Sequence, residues 1–286
     1  MSSQGYPLFC MGNPLLDMLV PQGEALLEKY TSKPTTPSSP KRSTCRYPSY
    51  EELVSKYSDK LTYVPGGAAQ NAARGAASVV YTGSVGSDAF AEQLVAANQR
   101  AGLDQVYYVA DGAKTGTCAV VVTGHHRSLV TYLGAAEKFD QAHLSSPAVA
   151  PLVDAAKVFY SALEVAKKAS EAGKIFVLNL SAPFIPQFFA VQLQSIMPYV
   201  DIIIGNEAEA EAWASASGLA DKTDLAAATT VIVDTNGAGD AFAGGLLAGL
   251  VLGKPIEECV EMGHKMGSMC VQQVGAQYKW PKVQIL

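Results

Sequence analysis

The sequence lacks an excess of basic residues, and it lacks long apolar runs. It contains 21 Lys and Arg residues against 26 Asp and Glu residues, which gives a formal net charge of −5. The chain therefore lacks the excess of positive charge that is typical of proteins that bind nucleic acid. Apolar stretches such as VAPLVDAAKVFY are interrupted by charges and fall far short of the roughly 20 residues that span a bilayer. We expect neither nucleic acid nor a membrane as a partner.

The sequence also has few cysteines, and no two of them form a CxxC pair. This argues against a disulfide or metal framework. The amino-terminal segment MSSQGYPLFCMGNPLLD has no basic region before its apolar residues and so does not resemble a signal peptide. We predict a soluble cytoplasmic protein, with the nucleus as a second location, that is monomeric and keeps reduced thiols at Cys10, Cys45, Cys118, Cys259 and Cys270.

What the sequence does contain is a regular alternation of strand-like and helix-like segments. PLFCMG is typical of a buried strand, AAQNAARGAA and AFAEQLVAANQRAG have helical spacing, and VVYTGSV and IFVLNL are further strand candidates. Residues 114–134 contain two β-rich runs around a Gly-His-His turn, which predicts a hairpin. The Pro-, Ser- and Thr-rich stretch at 32–48 predicts a loop. The alternation predicts an α/β protein whose mostly parallel central sheet is covered by helices on both faces.

Three connections are shorter than the usual length of about two to six residues. Ser78 alone separates a helix from VVYTG, Ser161 alone separates VFY from ALEVAKKAS, and AAATT runs straight into VIVDTNGAGD around Thr230. A parallel sheet cannot reverse its direction through one connecting residue. We therefore predict that loops of a longer protein are absent from the sequence at these points; a genuine deletion is the alternative, and it would impair activity.

The segment VIVDTNGAGDAFAGGLLAGLVLG carries the most specific motif. A β-branched run meets a small-residue turn, from Asp234 to Asp240, and then an apolar helix. Gly237 and Gly239 allow backbone N–H groups to converge, and the helix N-terminus adds partial positive charge, so the turn suits an anion. A simple N-cap would explain Asp240 but not the glycines before it or the small residues after it.

Two further segments carry polar residues suited to a sugar. Gly66 and Gly67 precede a helix that contains Asn71, although a glycine turn followed by a helix cap would look the same. Asp17 closes the stretch GNPLLD. A carboxylate there suits a ribose diol, since it can accept hydrogen bonds from two neighbouring hydroxyls. Capping of a following helix is the alternative for Asp17.

Taken together, these motifs resemble a known enzyme family. DTNGAGDAF looks like the carboxy-terminal signature of the ribokinase-like carbohydrate and nucleoside kinases, and VPGGAAQN matches the amino-terminal signature of that family. Four further segments are similar, in the same order, to family members that act on adenosine, and their residues resemble those of fungal members most. These segments are GNPLLD, HRSLVTYLGAAEKF, LNLSAPFI and MPYVDIIIGNEAEA. The resemblance runs from residue 8 to the KWPKVQIL end.

The resemblance implies transfer of a phosphoryl group from ATP to the 5′-hydroxyl of adenosine, with Mg²⁺ as cofactor and a monovalent cation as a further candidate. It implies that Asp240 accepts the proton of the attacking hydroxyl, while Gly237, Ala238 and Gly239 stabilise the transferring group. Such chemistry depends mainly on positioning and charge stabilisation, which an oriented carboxylate beside an amide nest can provide.

The resemblance also assigns the remaining site residues. It places Arg127 over the phosphates, where a solvated loop arginine is the alternative. It places Asn206 and Glu209 in an NxxE element that organises magnesium, with Glu209 acting through water, where an exposed acidic helix start is the alternative. Thr235 and Asn236 join the nucleotide site. The ribose is held by Asn13, Asp17, Gly66, Gly67 and Asn71, and the adenine is enclosed by Leu15, Leu129 and Leu133.

The fold implied is a three-layer ribokinase-like α/β domain with a small β-rich lid. We assign residues 1–16, 65–113 and 137–286 to the large domain, and residues 17–64 and 114–136 to the lid. The chain lacks the Gly-Phe-Phe-Leu type segment and the Thr-Gln-Gly type loop of the family. Another sugar or nucleoside kinase of the family, or a catalytically silent nucleoside-binding protein, are the alternative functions.

Overall fold

The apolar runs form a six-stranded sheet in the computed structural model, and every neighbouring pair of its strands is parallel. From one edge to the other, its strands are β12 (Ile202–Ile204), β11 (Ile175–Asn179), β10 (Val158–Tyr160), β1 (Leu8–Met11), β4 (Val79–Thr82) and β6 (Asp104–Gln105). The structure describes residues 5–21, 55–57, 61–76, 78–123, 126–160, 163–217 and 238–270.

Helices cover both faces of this sheet. Successive residues of β1 point to opposite sides: Leu8 and Cys10 belong to one apolar cluster, and Phe9 and Met11 belong to the other. One cluster contains residues of helices α1 (Ala68–Gly75), α8 (Ala238–Val251) and α9 (Ile256–Cys270). The opposite cluster contains residues of α3 (Ala150–Ala155), α4 (Leu163–Glu171), α6 (Ala190–Ile196) and α7 (Glu207–Ser217). The predicted three-layer architecture is therefore confirmed.

A second sheet has four strands in the order β3 (Thr62–Gly66), β2 (Leu15–Pro21), β8 (Thr117–Thr123) and β9 (His126–Tyr132). β8 and β9 are antiparallel, which confirms the predicted hairpin. Helix α2 (Ala89–Arg100) packs against this sheet through Ala91 and Leu94, which contact Leu16 of β2. The remaining elements are the two-stranded sheet of β5 (Ser84–Val85) and β7 (Tyr108–Val109), helix α5 (Phe184–Phe188), and the 3₁₀ helices Gly134–Lys138, Gln141–Ser145 and Met197–Tyr199.

Asp88 ties helix α2 to the start of the β8–β9 hairpin. Its carboxylate accepts a hydrogen bond from Ala91 N at 3.0 Å, which caps the helix, and from Thr115 N at 2.8 Å and Thr115 Oγ1 at 2.6 Å. Burial alone would raise the pKa of the Asp88 carboxyl, but these hydrogen bonds lower it below its usual value. The N-terminus of α2 is thereby fixed to the segment that leads into β8.

Some expectations change in detail. The run VVYTGSV forms two strands, because Gly83 separates β4 of the large sheet from β5 of the two-stranded sheet. Cys10, Cys118, Cys259 and Cys270 are buried free thiols, as predicted. None of the helices in the described ranges has the length and apolar character that a bilayer crossing requires. The predicted loop at 32–48 and Cys45 lie outside the described residues.

The first of the three tight junctions is described except for Ala77: α1 ends at Gly75, so three residues, 76–78, lead from it to β4. Ser78 connects the end of α1 with β4 and adopts φ 54°, in the left-handed region. This conformation costs a residue other than glycine about 1 kcal/mol or more. The prediction that Ser78 alone forms this connection is therefore wrong, because the helix ends at Gly75 rather than at Ala77, and within the described part of the connection the strain lies at Ser78. The other two junctions, at residues 161–162 and 218–237, lie outside the described residues.

We predict that Gly244→Ala destabilises the protein, although alanine is the better helix former by about 1 kcal/mol. A Cβ at this position of α8 would lie 2.8 Å from Ala72 O and 3.0 Å from Gly75 Cα of α1, so the helices would have to separate. We expect a loss of about 1–3 kcal/mol in the free energy of unfolding, measured by urea denaturation. Gly267→Ala in α9 is the matched control, because its Cβ meets nothing closer than 3.3 Å. Equal effects of the two substitutions would contradict the close-packing argument.

Candidate active site

The site begins at the carboxyl end of the central strand. β1 ends at Met11, and the sheet continues from β1 to β4 on one side and to β10 on the other. In open α/β sheets, ligands bind outside the carboxyl ends of the strands at such a switch of direction. Asn13 follows β1 at this point and is exposed.

The glycine pair brings helix α1 against this segment. Gly67 is the N-cap of α1 and has φ 91°, a conformation that suits glycine. A Cβ on Gly67 would overlap the carbonyl oxygen of Asn13. The second glycine is therefore required by a close backbone approach as well as by its own conformation. This brings Asn13 and Gly67, two of the predicted ribose ligands, into direct contact.

Asp17 lies inside strand β2, so the alternative that it caps a helix is wrong. It pairs with Val64 of β3 and with Cys118 of β8. Its half-buried carboxylate lies over Gly66, where any Cβ would occupy the position of the carboxylate oxygens. The first glycine of the pair is therefore what leaves room for the Asp17 carboxylate above the turn.

Asp240 is held by Asn71 from the opposite end of the sequence. Helix α8 begins at Ala238, so Asp240 is its third residue and does not occupy the N-cap position. Asn71 Nδ2 donates a hydrogen bond to Asp240 Oδ2 at 3.0 Å. The first N–H groups of a helix have no acceptor within it. The carboxylate therefore lies beside the part of α8, at Ala238 and Gly239, that can donate to an anion.

Helix α1 carries two further buried polar residues that the motif analysis missed. Gln70 Nε2 donates to Gly66 O at 2.8 Å, and Arg74 Nη1 donates to Pro65 O at 3.1 Å and to Asn71 Oδ1 at 3.3 Å. Two consecutive carbonyl groups of the turn before α1 are thus fixed by side chains one helical turn apart. The available signal was the presence of these long polar residues among alanines on one face of AAQNAARGAA.

A buried network supports Gln70 from the neighbouring elements. Gln70 Oε1 accepts hydrogen bonds from the Tyr107 hydroxyl and from Asn98 Nδ2, and Asn98 Nδ2 also donates to the Tyr107 oxygen at 2.8 Å. Burial raises the pKa of the Tyr107 phenol far above its usual value, so the hydroxyl remains a donor. The orientation of the Gly66 carbonyl therefore depends on helix α2 and on the segment before β7.

Asn206 and Glu209 cap helix α7 reciprocally. Glu209 accepts from Asn206 N and Asn206 Nδ2, both at 3.1 Å, and Glu209 N donates to Asn206 Oδ1 at 2.9 Å. Glu209 is only 6% exposed, so the alternative of an exposed acidic helix start is wrong. This is a capping box that follows the carboxyl end of β12. Within the described ranges, no cluster of three or more His, Cys, Asp or Glu side chains suits a metal ion.

Leu15 and Leu133 approach each other across Gly116. A Cβ on Gly116 would lie 2.7 Å from both Leu15 Cδ2 and Leu133 O. The backbones of Arg127 and Leu129 belong to β9 and pair with Val122 and Val120 of β8, whereas their side chains lie outside what the structure describes. Thr235, Asn236 and Gly237 also lie outside the described residues.

The chain matches the family model described as pfkB family carbohydrate kinase over residues 43–231 and 225–283, and it belongs to that family. Two curated relatives of this chain are adenosine kinases of fungi. It is 51% identical to the adenosine kinase of Schizophyllum commune, over 98% of this chain and 99% of that protein. It is 38% identical to the adenosine kinase of Saccharomyces cerevisiae, over 97% of this chain and 98% of that protein. The resemblance noted in the sequence is confirmed.

Solved structures agree with this placement. The adenosine kinase of Anopheles gambiae in complex with P1,P4-di(adenosine-5) tetraphosphate superposes with a TM-score of 0.82 at 32% identity, covering 95% of this chain and 97% of that one. The adenosine kinase of Schistosoma mansoni in complex with adenosine superposes with a TM-score of 0.81 at 27% identity, covering 96% and 98%. The ribokinase-like fold is confirmed.

The relatives contain residues that have no counterpart in this chain. The alignment with the Schizophyllum commune protein extends over 345 positions, whereas the chain has 286 residues. Because the alignment covers nearly all of both proteins, these differences are largely internal. This supports the prediction that internal segments are absent from the sequence, while their assignment to the three tight junctions stays a prediction.

Proposed function

We propose that this chain transfers the γ-phosphoryl group of ATP to the 5′-hydroxyl of adenosine, giving ADP and AMP. The observation that carries the proposal is the contact between Asn71 and Asp240, which places a carboxylate at the start of α8 beside the turn that meets Asn13 and Asp17. Family membership and the adenosine kinase relatives support the same reaction. An assay that measures AMP and ADP formation from adenosine and magnesium ATP tests the proposal directly.

The acceptor side of the reaction follows from the described contacts. The Asp17 carboxylate accepts hydrogen bonds from the ribose hydroxyls, and the backbone at Gly66 and Gly67 approaches the sugar because neither residue has a side chain. Asn71 holds the Asp240 carboxylate through its Oδ2, and in the proposal this carboxylate faces the 5′-hydroxyl. Asp240 then accepts the hydroxyl proton as the oxygen attacks the γ-phosphorus.

The phosphate side is assigned to the residues around the start of α8. Ala238 and Gly239 lie in its first turn, where N–H groups and the helix dipole stabilise negative charge. Gly237, Thr235, Asn236 and Arg127 complete this part in the proposal. The four-stranded sheet, with Leu15, Leu129 and Leu133 toward the adenine, acts as a lid that excludes water when it closes.

Magnesium fits the NxxE element by its chemistry. Carboxylate and amide oxygens are hard donors, and the Asn206 and Glu209 side chains lie in direct contact, so both can face one hydrated ion. Asn206 and Glu209 would hold magnesium through water, and the ion would neutralise charge on the phosphates. A monovalent cation, a monomeric state and a cytoplasmic location that extends to the nucleus belong to the same proposal.

Replacement of Asp240 by Asn is expected to lower kcat by about 10²- to 10⁴-fold while adenosine binding stays nearly normal. The amide keeps the shape of the side chain but cannot accept the hydroxyl proton. Steady-state kinetics and adenosine titration calorimetry measure the two effects. Asp111→Asn, in an exposed turn, is the control. An unchanged kcat in a folded Asp240→Asn protein would disprove the role of the base.

Replacement of Asp17 by Ala is expected to raise the KM for adenosine and to weaken discrimination against 2′- and 3′-deoxyadenosine. A ribose hydroxyl that loses its buried acceptor costs about 1–3 kcal/mol. The measurement is kcat/KM for adenosine and for each deoxynucleoside with both proteins. If the substitution penalises adenosine and the deoxynucleosides by the same factor, Asp17 does not bind the diol.

Two substitutions of Glu209 separate its structural role from its proposed metal role. Glu209→Ala removes the capping box and should lower the free energy of unfolding by about 1 kcal/mol. Glu209→Gln keeps most of the cap, so its stability should stay close to that of the wild type, while the magnesium concentration for half-maximal activity should rise. An unchanged magnesium dependence in Glu209→Gln would leave the residue with a structural role alone.

A further inference from the structure

Arg74 is a buried charge that the family motifs leave without a role. It lies in α1, three residues after Asn71, and is 7% exposed. Removal of a guanidinium from water is costly unless acceptors surround it. An uncharged, apolar residue at this position would serve helix packing equally well. The presence of a charge at this position therefore calls for an explanation within the site.

Arg74 contacts the side chain that holds the base. Its Nη1 donates to Asn71 Oδ1 at 3.3 Å, and Asn71 Nδ2 donates to Asp240 Oδ2 at 3.0 Å. Residues three apart lie on the same face of a helix, so the guanidinium and the amide are neighbours by helical geometry. The three side chains form a series that runs from the interior of α1 to the first turn of α8.

The order of donors and acceptors in this series fixes the Asn71 amide. An arginine offers only donors, and an ionised carboxylate offers only acceptors. If the amide turned over, its NH₂ would face the guanidinium and its oxygen would face the carboxylate, and both contacts would become repulsive. Without Arg74, Asn71 Oδ1 would lose a buried donor, and the single hydrogen bond to Asp240 would have to hold the amide against rotation toward another donor. Arg74 therefore limits rotation of the Asn71 amide from the side opposite to Asp240.

We propose that Arg74 is a positioning residue for the phosphoryl transfer, which orients the Asn71 amide and, through it, the Asp240 carboxylate. The inference rests on the proposed role of Asp240 as the base. The second bond of Arg74, to Pro65 O at 3.1 Å, fixes the turn that precedes Gly66 and Gly67. The Arg74 side chain therefore contacts both Asn71, which holds the base, and the segment that leads into the two glycines proposed to approach the ribose.

The kinetic test is a double-mutant cycle between Arg74→Met and Asn71→Ala. Arg74→Met is expected to lower kcat by about 10- to 100-fold, with a smaller change in the KM for adenosine, because a misplaced catalytic group affects turnover more than binding. In the Asn71→Ala background, the same substitution should lower kcat further by less than about threefold. Equal falls in the two backgrounds, or an unchanged kcat in Arg74→Met, would overturn the proposal.

Two further variants separate positioning from folding. Arg74→Lys keeps a buried donor and should restore part of the kcat, whereas Arg100→Met, at the exposed end of α2, should leave kcat and KM unchanged. If Arg74→Met does not fold, the cycle is made with Arg74→Lys, whose kcat should lie below that of the wild type. Equal kcat values for Arg74→Lys and wild type in both backgrounds would count against a dependence on the guanidinium.

A readout without turnover keeps the inference separate from the proposed reaction. In a crystal structure of the Arg74→Met protein, the Asn71 side chain is expected to turn away from Asp240. Asn71 Nδ2 would then no longer lie within hydrogen-bonding distance of Asp240 Oδ2. An unchanged Asn71–Asp240 contact would overturn the role of Arg74 whether or not the protein phosphorylates adenosine. Absence of adenosine phosphorylation by the wild type, with the amide turned in the variant, would instead refute the proposed function alone.

Discussion

The site depends on the close approach of helices α1 and α8. Gly244 of α8 lies directly against the backbone of Ala72 and Gly75, and a single methyl group there would meet Ala72 O at 2.8 Å. Only this separation allows Asn71 to reach Asp240, which is 169 residues further along the chain. Two helices that lie far apart in the sequence therefore meet at the proposed catalytic carboxylate. A close backbone contact, without side chains between the helices, sets the geometry of the Asn71–Asp240 hydrogen bond.

Much of the fold could be predicted because its signals are local. Fully apolar strands and the Gly66–Gly67 turn before a helix are visible in the sequence, as is the run of small residues after Asp240. The division of VVYTGSV and the place of Asp17 inside a strand were not visible, because each depends on which strands pair. The support by Gln70, Asn98 and Tyr107 was missed for the same reason, since these residues meet only after α1 and α2 have packed.

Asn206 and Glu209 show why a motif can carry two meanings at once. Their mutual hydrogen bonds satisfy backbone and side-chain groups at the start of α7, as any capping box does. The same pair of oxygen-rich side chains, at the carboxyl end of a strand in the large sheet, has the chemistry that a hydrated magnesium ion prefers. A sequence pattern alone cannot separate these roles, because the residues that cap a helix N-terminus are also hard ligands. Only a substitution that preserves one role and removes the other can do so.

In the proposed reaction, the described contacts belong mainly to the acceptor half, which consists of the ribose site and the base. The donor half rests on residues 235–237 and on Arg127, whose side chains are not part of that description. Binding of a nucleoside and transfer of a phosphoryl group therefore depend on different parts of the chain. The greater length of the relatives points to absent internal segments. If the segment before Val231 is among those absent, the acceptor half remains able to bind adenosine while transfer is impaired, so nucleoside binding and turnover have to be measured separately.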